Sequence, residues 1–264
     1  MKNVFTCLLL IFSFTSSFAQ FDDQFYFPSK ELKPMLFSDY EKAPVIVGND
    51  TLQNIFIKPK DKAKATIIFF QGNGGNYTDY QFITKPLVDA GYQVFMTSFR
   101  GYGESTGKPT HLTIASDSEK IFEYISNRSD VKNTKIIVYG ASIGCQIATN
   151  FTKKFQSRIS GLVLDSGFAS FTDIALSTRP AEQHAIIKMY LTSPYLSKDD
   201  IKSIENVKLL VIQSKSDSVA PFEQGKLVFD NAKAPKTFLE YEGGHILAMK
   251  TDSEKIIKAI GNLL

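Results

Sequence analysis

Short runs of apolar, β-branched residues alternate along this chain with longer stretches whose apolar positions recur at helical spacing. Residues 45–47 and 54–58 flank Gly48-Asn49-Asp50, which predicts an antiparallel hairpin. The unbroken apolar run 65–70 predicts a strand buried on both faces, since a half-exposed strand would alternate. A helical pattern over 78–90 stops at Gly91, a residue suited to a helix C-terminus. Further strands are expected at 92–99, 135–139, 160–165, 208–213 and 237–241. Helices are expected at about 112–127, 143–155, 222–231 and 246–263.

Strands alternating with helices imply an α/β domain with a mostly parallel central sheet covered by helices on both faces. In such sheets ligands bind beyond the carboxyl ends of the strands, so the loops that follow strands carry the candidate chemistry. One interval, about 166–206, is longer than a single crossover helix requires. It contains Pro180, Pro194 and the apolar stretch 185–191, and fits either a small helical lid over a site or two helices packed on the body. No repeat, low-complexity segment or linker divides the chain.

The first residues stand apart. Lys2, the mostly apolar run 4–14 and Ser17-Phe18-Ala19 follow the order of a secretory signal peptide (residues 1–19), with cleavage expected near Ala19. The run is too short, and too interrupted by Thr6 and Ser13, for a stable membrane span of about 20 residues. A lipid-anchored precursor would place a cysteine after the apolar core, whereas Cys7 lies inside it. The expected location is therefore secreted or periplasmic. The remaining residues 20–264 suffice for one domain with a single core. A net charge of only +3 gives no electrostatic reason to expect nucleic acid as a partner. Beyond the signal segment only Cys145 remains, so no intramolecular disulfide can form. Cys145 reads as a small buried helix residue.

Gly140-Ala141-Ser142-Ile143-Gly144 fits the G-x-S-x-G turn from strand to helix, in which a serine is held in strained backbone geometry with its hydroxyl presented. Side chains two before and two after would collide, so glycine suits both places. Gly103-Glu104-Ser105-Thr106-Gly107 fits the same pattern, and context separates them. Ser142 follows a buried strand and opens a helix. Ser105 lies in a polar loop with Pro109 close behind and reads as a turn.

The chain has three histidines. His111 precedes a helix and His184 lies in the long interval. His245 follows the last strand through Glu242-Gly243-Gly244, on the same sheet edge as Ser142, and is the candidate general base. Triads built on this elbow run in the order serine, acid, histidine. Asp217, after the strand 208–213 and before Val219 and Pro221, is the candidate acid, with Asp165 at the end of the preceding strand as its rival. Gln71-Gly72-Asn73-Gly74-Gly75 follows the buried strand 65–70 and suits an oxyanion hole built from the amides of Asn73 and Ile143. A phosphate cradle would need a Gly-Lys-Ser/Thr ending or a G-x-G-x-x-G fingerprint, and neither occurs. A plain turn is the bland alternative.

Together these segments, with Arg100-Gly101-Tyr102-Gly103-Glu104-Ser105, resemble the α/β-hydrolase superfamily, especially its serine-aminopeptidase and monoglyceride-lipase-like branch. The resemblance covers roughly residues 45–262. It implies an α/β-hydrolase fold over 20–264, with the triad Ser142, Asp217 and His245. The family usually has His at the position of Gln71 and often Asp at that of Ser98. A glutamine at the first position can still hydrogen-bond in support of the oxyanion loop. The Arg100–Ser105 segment reads as a structural brace.

The expected activity is hydrolysis of a carboxylic ester or thioester through an acyl-enzyme. Peptidase or amidase action on a short peptide would use the same triad but need acidic groups to hold an amino terminus. A non-catalytic binding module is the third reading, and the intact serine, histidine and elbow glycines argue against it. No metal or organic cofactor is implied, because three scattered histidines and one mature cysteine give no ligand spacing. Ile186, Ile187, Met189 and Leu191 suggest an apolar acyl pocket, or equally a buried helix face.

Overall fold

The computed structural model describes residues 22–264, so the expected signal peptide and its cleavage position lie outside the described residues. The strands are β1 (Phe27–Pro28), β2 (Glu41–Val47), β3 (Asp50–Ile57), β4 (Thr66–Phe70), β5 (Gly74–Gly75), β6 (Gln93–Met96), β7 (Ile136–Ala141), β8 (Gly161–Asp165), β9 (Lys208–Gln213) and β10 (Lys236–Glu240). Eight of them form one sheet in the order β10-β9-β8-β7-β4-β6-β3-β2. The hairpin strand β3 pairs antiparallel with both β2 and β6, and every pair from β6 to β10 is parallel.

The helices are α1 (Gln81–Asp89), α2 (His111–Ser126), α3 (Gly144–Phe155), α4 (Phe171–Thr178), α5 (His184–Tyr190), α6 (Ser197–Asp200), α7 (Phe222–Asn231), α8 (Ala248–Thr251) and α9 (Ser253–Gly261). They cover both faces of the sheet, and the buried strands explain why. In β4, Ile68 and Phe70 join one apolar cluster with residues of α2, α3 and α7. Ile67 and Phe69 join the other, with residues of α1, α8 and α9. A strand sandwiched in this way must be apolar at every position. The result is the expected α/β architecture, a mostly parallel sheet with helices on both sides.

Several boundaries differ from the sequence reading for local reasons. β2 begins at Glu41 because it is the sheet edge, where the missing N–H of Pro44 removes no interior ladder bond. The stretch before α1 opens as a 3₁₀ turn, Tyr77–Tyr80, capped by Asn76. Gly91, at φ +92°, ends that helix as expected. The final helix is not continuous: Asp252, at φ −150° and ψ 52°, splits it into α8 and α9.

The long interval divides into two parts. α6 is tied to the body, its Ser197 N–H donating to Gln146 Oε1 at 3.1 Å. α5, by contrast, has no buried residue. A feature without any sequence signature precedes the sheet. Residues 22–37 form a strap in which the two-residue β1 pairs in parallel with β5. The Phe27 and Ser29 amides donate to the carbonyls of Asn73 and Gly75, both at 2.8 Å.

Candidate active site

The chain turns from β7 into α3 at Ser142, which sits at φ 55° in the left-handed region that side chains disfavour. The flanking glycines are needed by different neighbours. A Cβ at Gly140 would lie 2.6 Å from the Gly144 carbonyl oxygen, whereas one at Gly144 would overlap the Phe70 carbonyl at the end of β4. The first contact lies within the elbow, and the second presses the start of α3 against the strand that feeds the oxyanion loop.

Three side chains meet at this edge. The Ser142 hydroxyl donates to His245 Nε2 at 2.8 Å, and His245 Nδ1–H donates to Asp217 Oδ2 at 2.8 Å. The Asp217 side chain is fully buried while the imidazole keeps 17% exposure. The other carboxylate oxygen of Asp217 accepts the amides of Val219 and Ala220, both at 2.9 Å. Burial alone would raise this carboxyl. The imidazole bond and the two amides outweigh that effect and hold it below the usual aspartate value. An ionised acceptor at Nδ1 keeps the imidazole proton there and leaves Nε2 free to accept from the hydroxyl. Such an arrangement can transfer a hydroxyl proton to a neutral imidazole and stabilise the resulting charge.

Asp165, the rival acid, makes no hydrogen bond to His245. It is fully buried behind the elbow and accepts from Tyr139 Oη at 2.7 Å and from Ser166 Oγ at 3.2 Å. Burial pushes its carboxyl up to about 6.

The loop 71–75 is held by its carbonyls. That of Asn73 accepts from the Phe27 amide at 2.8 Å and from Tyr102 Oη at 2.5 Å, and that of Gly74 from Tyr80 Oη at 3.0 Å. Among the described residues, the amides of Asn73 and Ile143 donate to no other group. One expectation needs correction here. Gln71 is fully buried, but neither its Nε2 nor its Oε1 has a hydrogen-bond partner among the described residues, so its side chain does not support the loop by hydrogen bonding.

The remaining motif residues take structural places. Ser105 is buried in a turn, its Oγ donating to Ser98 Oγ at 2.9 Å. Arg100 grips Asp117 through two bonds of 2.8 Å and also pairs with Asp50. His111 is buried and stacked on Phe171 at 3.6 Å, and burial lowers it to about 3. His184 is bonded to the Arg179 carbonyl at 2.9 Å. Cys145 is buried on α3, and burial pushes its thiol up. Among the described residues no group of three or more His, Cys, Asp or Glu could hold a metal ion.

Beside the Asp217 loop lies a cavity of about 570 Å³. Phe25 of the strap, Ile174 of α4, Ile186 and Ile187 of α5, Leu191 and Val219 supply its apolar wall. Met189 is not part of it and stands 71% exposed.

Comparison with known proteins agrees with this architecture. The family described as alpha/beta hydrolase fold matches residues 65–189. Protein bem46 of Schizosaccharomyces pombe is 34% identical over 169 residues, covering 64% of this chain and 56% of that protein. The uncharacterized protein YfhR of Escherichia coli K12 is 30% identical over 190 residues, covering 71% of this chain and 65% of its own length. The chain thus spans less than two thirds of either relative. The esterase Pf2001 of Pyrococcus furiosus superposes with a TM-score of 0.73 at 17% identity, covering 91% of this chain and 97% of the esterase. At that identity the likeness is one of fold.

Proposed function

We propose that this chain, which matches the family described as alpha/beta hydrolase fold over residues 65–189, is a serine hydrolase of carboxylic esters or thioesters. The reading is carried by one observation: a strained serine, a histidine and a buried carboxylate joined by two bonds of 2.8 Å. Ser142 Oγ attacks the acyl carbon as its proton passes to His245 Nε2, and Asp217, which stays ionised, stabilises the imidazolium. The unused amides of Asn73 and Ile143 receive the charge that develops on the carbonyl oxygen. Collapse of the tetrahedral species breaks the acyl–oxygen or acyl–sulfur bond, and the leaving group takes the proton from Nε2. Water, deprotonated by the same nitrogen, then cleaves the acyl-enzyme and releases the acid.

The cavity beside the Asp217 loop supports an ester over an amino-terminal peptide. Its lining contains apolar side chains and Arg179 but no carboxylate to bind an ammonium group. α4 and α5 form its roof and act as the lid; secretion follows from the signal-peptide pattern. Among the described residues no helix is long and apolar enough to cross a membrane. The test is fluorophosphonate labelling with mapping of the modified residue, beside turnover of p-nitrophenyl esters and aminoacyl nitroanilides. Modification at Ser142 with preferential ester turnover is expected. A Ser142→Ala protein that hydrolyses esters at the wild-type rate ends the proposal.

A further inference from the structure

Among the described residues, three that are not glycine have positive φ: Ser142 at 55°, Ser166 at 54° and Ile246 at 52°. Non-glycine residues rarely hold this conformation unless their surroundings impose it. Here the three are joined through one buried dipeptide. The Asp165 carbonyl accepts the Ser142 amide at 2.9 Å, and Ser166 Oγ accepts the Ile246 amide at 3.0 Å. The Ser166 amide donates to the Ile212 carbonyl at 2.9 Å, on the strand that leads to Asp217. Nucleophile, acid and base loops therefore all attach to Asp165-Ser166.

The side chains extend the attachment. Tyr241 Oη lies 3.2 Å from Ser166 Oγ and donates to the Gly244 carbonyl at 2.6 Å, directly before His245. It also accepts the Leu247 amide at 3.3 Å. Both sides of His245 are thus fixed by hydroxyls that trace back to Asp165. Ser166 Oγ in turn donates to Asp165 Oδ1 at 3.2 Å, and the other oxygen of Asp165 accepts from Tyr139 Oη at 2.7 Å, which ties the brace to β7.

We propose that Asp165, Ser166 and Tyr241 are positioning residues that lock the His245 loop to the Ser142 elbow, with Asp165 serving as the hydrogen-bond acceptor that anchors Ser166 and Tyr139 rather than as the triad acid. Its kinetic consequence rests on the serine-hydrolase reading above; its geometric consequence does not.

The experiment compares Ser166→Ala, Ser166→Gly, Tyr241→Phe and Asp165→Asn. The asparagine can donate to Ser166 and accept from Tyr139, so Asp165→Asn should keep kcat within about threefold of wild type, whereas loss of a triad acid costs about 10⁴-fold. Ser166→Ala and Tyr241→Phe should lower kcat by about ten- to a hundredfold with KM nearly unchanged, the scale of a small misplacement of reacting groups. Ser166→Gly relieves the backbone strain without restoring the hydroxyl, and should be as slow as the alanine variant. Proton NMR supplies a readout independent of turnover: the downfield His245 Nδ1–H line should persist in Asp165→Asn and broaden or vanish in Ser166→Ala. If Ser166→Ala does not fold, Tyr241→Phe carries the same test. Folded hydroxyl-lacking variants with wild-type kcat and an intact downfield line overturn the inference, as does a collapse of kcat in Asp165→Asn. If wild type itself shows no turnover and no label at Ser142, the hydrolase reading fails instead, and the NMR line still decides the brace.

Discussion

Replacing Asp217 by asparagine is the most informative single change at the site. The carboxylate accepts three hydrogen bonds, two from backbone amides through Oδ1 and one from His245 Nδ1–H through Oδ2. Asparagine can keep its oxygen toward Val219 and Ala220, which places its NH₂ group against the imidazole. Two donors would then face each other at 2.8 Å. The imidazole escapes this only by moving its proton to Nε2, the nitrogen that must accept from Ser142. The loop should therefore stay folded while the base is lost. A wrong tautomer costs about 10⁴ in kcat, or about 5.4 kcal/mol of transition-state stabilisation at 1.36 kcal/mol per decade. Steady-state hydrolysis of p-nitrophenyl acetate measures the rate, and thermal unfolding of the same preparation shows whether the fold survives. An Asp217→Asn protein that is folded and retains more than about a tenth of wild-type kcat would refute the assignment of this carboxylate as the partner of the base.

Other outcomes follow from the same geometry. Asp165 is raised to about 6 in the folded chain, so between its unfolded value near 3.8 and about 6 the native state holds the extra proton. Native stability should fall across that window as pH rises, by on the order of 3 kcal/mol, and then level off. The groups facing it are Tyr139 of β7, Cys145 of α3, and Tyr241, His245 and Asp217 of the neighbouring loops. Urea unfolding at pH 4.5 and 7 should show Asp165→Asn gaining on wild type at the higher pH; an unchanged difference counts against a buried, titrating Asp165. Gln71→Leu removes two unpartnered buried polar atoms and should stabilise the fold by about 1–3 kcal/mol in urea titrations, whereas a loss of stability would show that the amide has a partner. Ile187→Asp puts a charge into the cavity wall and should raise KM for eight-carbon esters about tenfold while leaving two-carbon esters unchanged. Equal effects on both would remove the cavity from the substrate's path. Amino-terminal sequencing of the exported protein should begin near Gln20, and a chain that keeps Met1 would end the signal-peptide reading.

What could be read from the sequence was whatever local backbone chemistry records. A doubly buried strand must be apolar at each position, so 65–70 and 135–139 stood out, and their order with the helices gave the sheet. Glycines around Ser142 and before His245 marked the turns that bring those side chains to one edge. The strap escaped notice because its strands are two residues long, too short for any period. Asp252 broke the last helix although nothing in composition separates it from its neighbours. The unpartnered state of Gln71 and the joining role of Ser166 depend on contacts across the fold, and no spacing rule reports a bond between residues 166 and 246.

The strap has a consequence for how the protein assembles. Its bonds to the loop 71–75 close a circuit of more than forty residues, across the whole β2–β3 hairpin. Closing such a circuit costs chain entropy before it returns any contact, so this pairing belongs late in folding, once β4 has a sheet to sit in. Residues 22–37 are then among the last to find their place. Agents that unzip this short parallel seam should silence the protein well before the sheet melts.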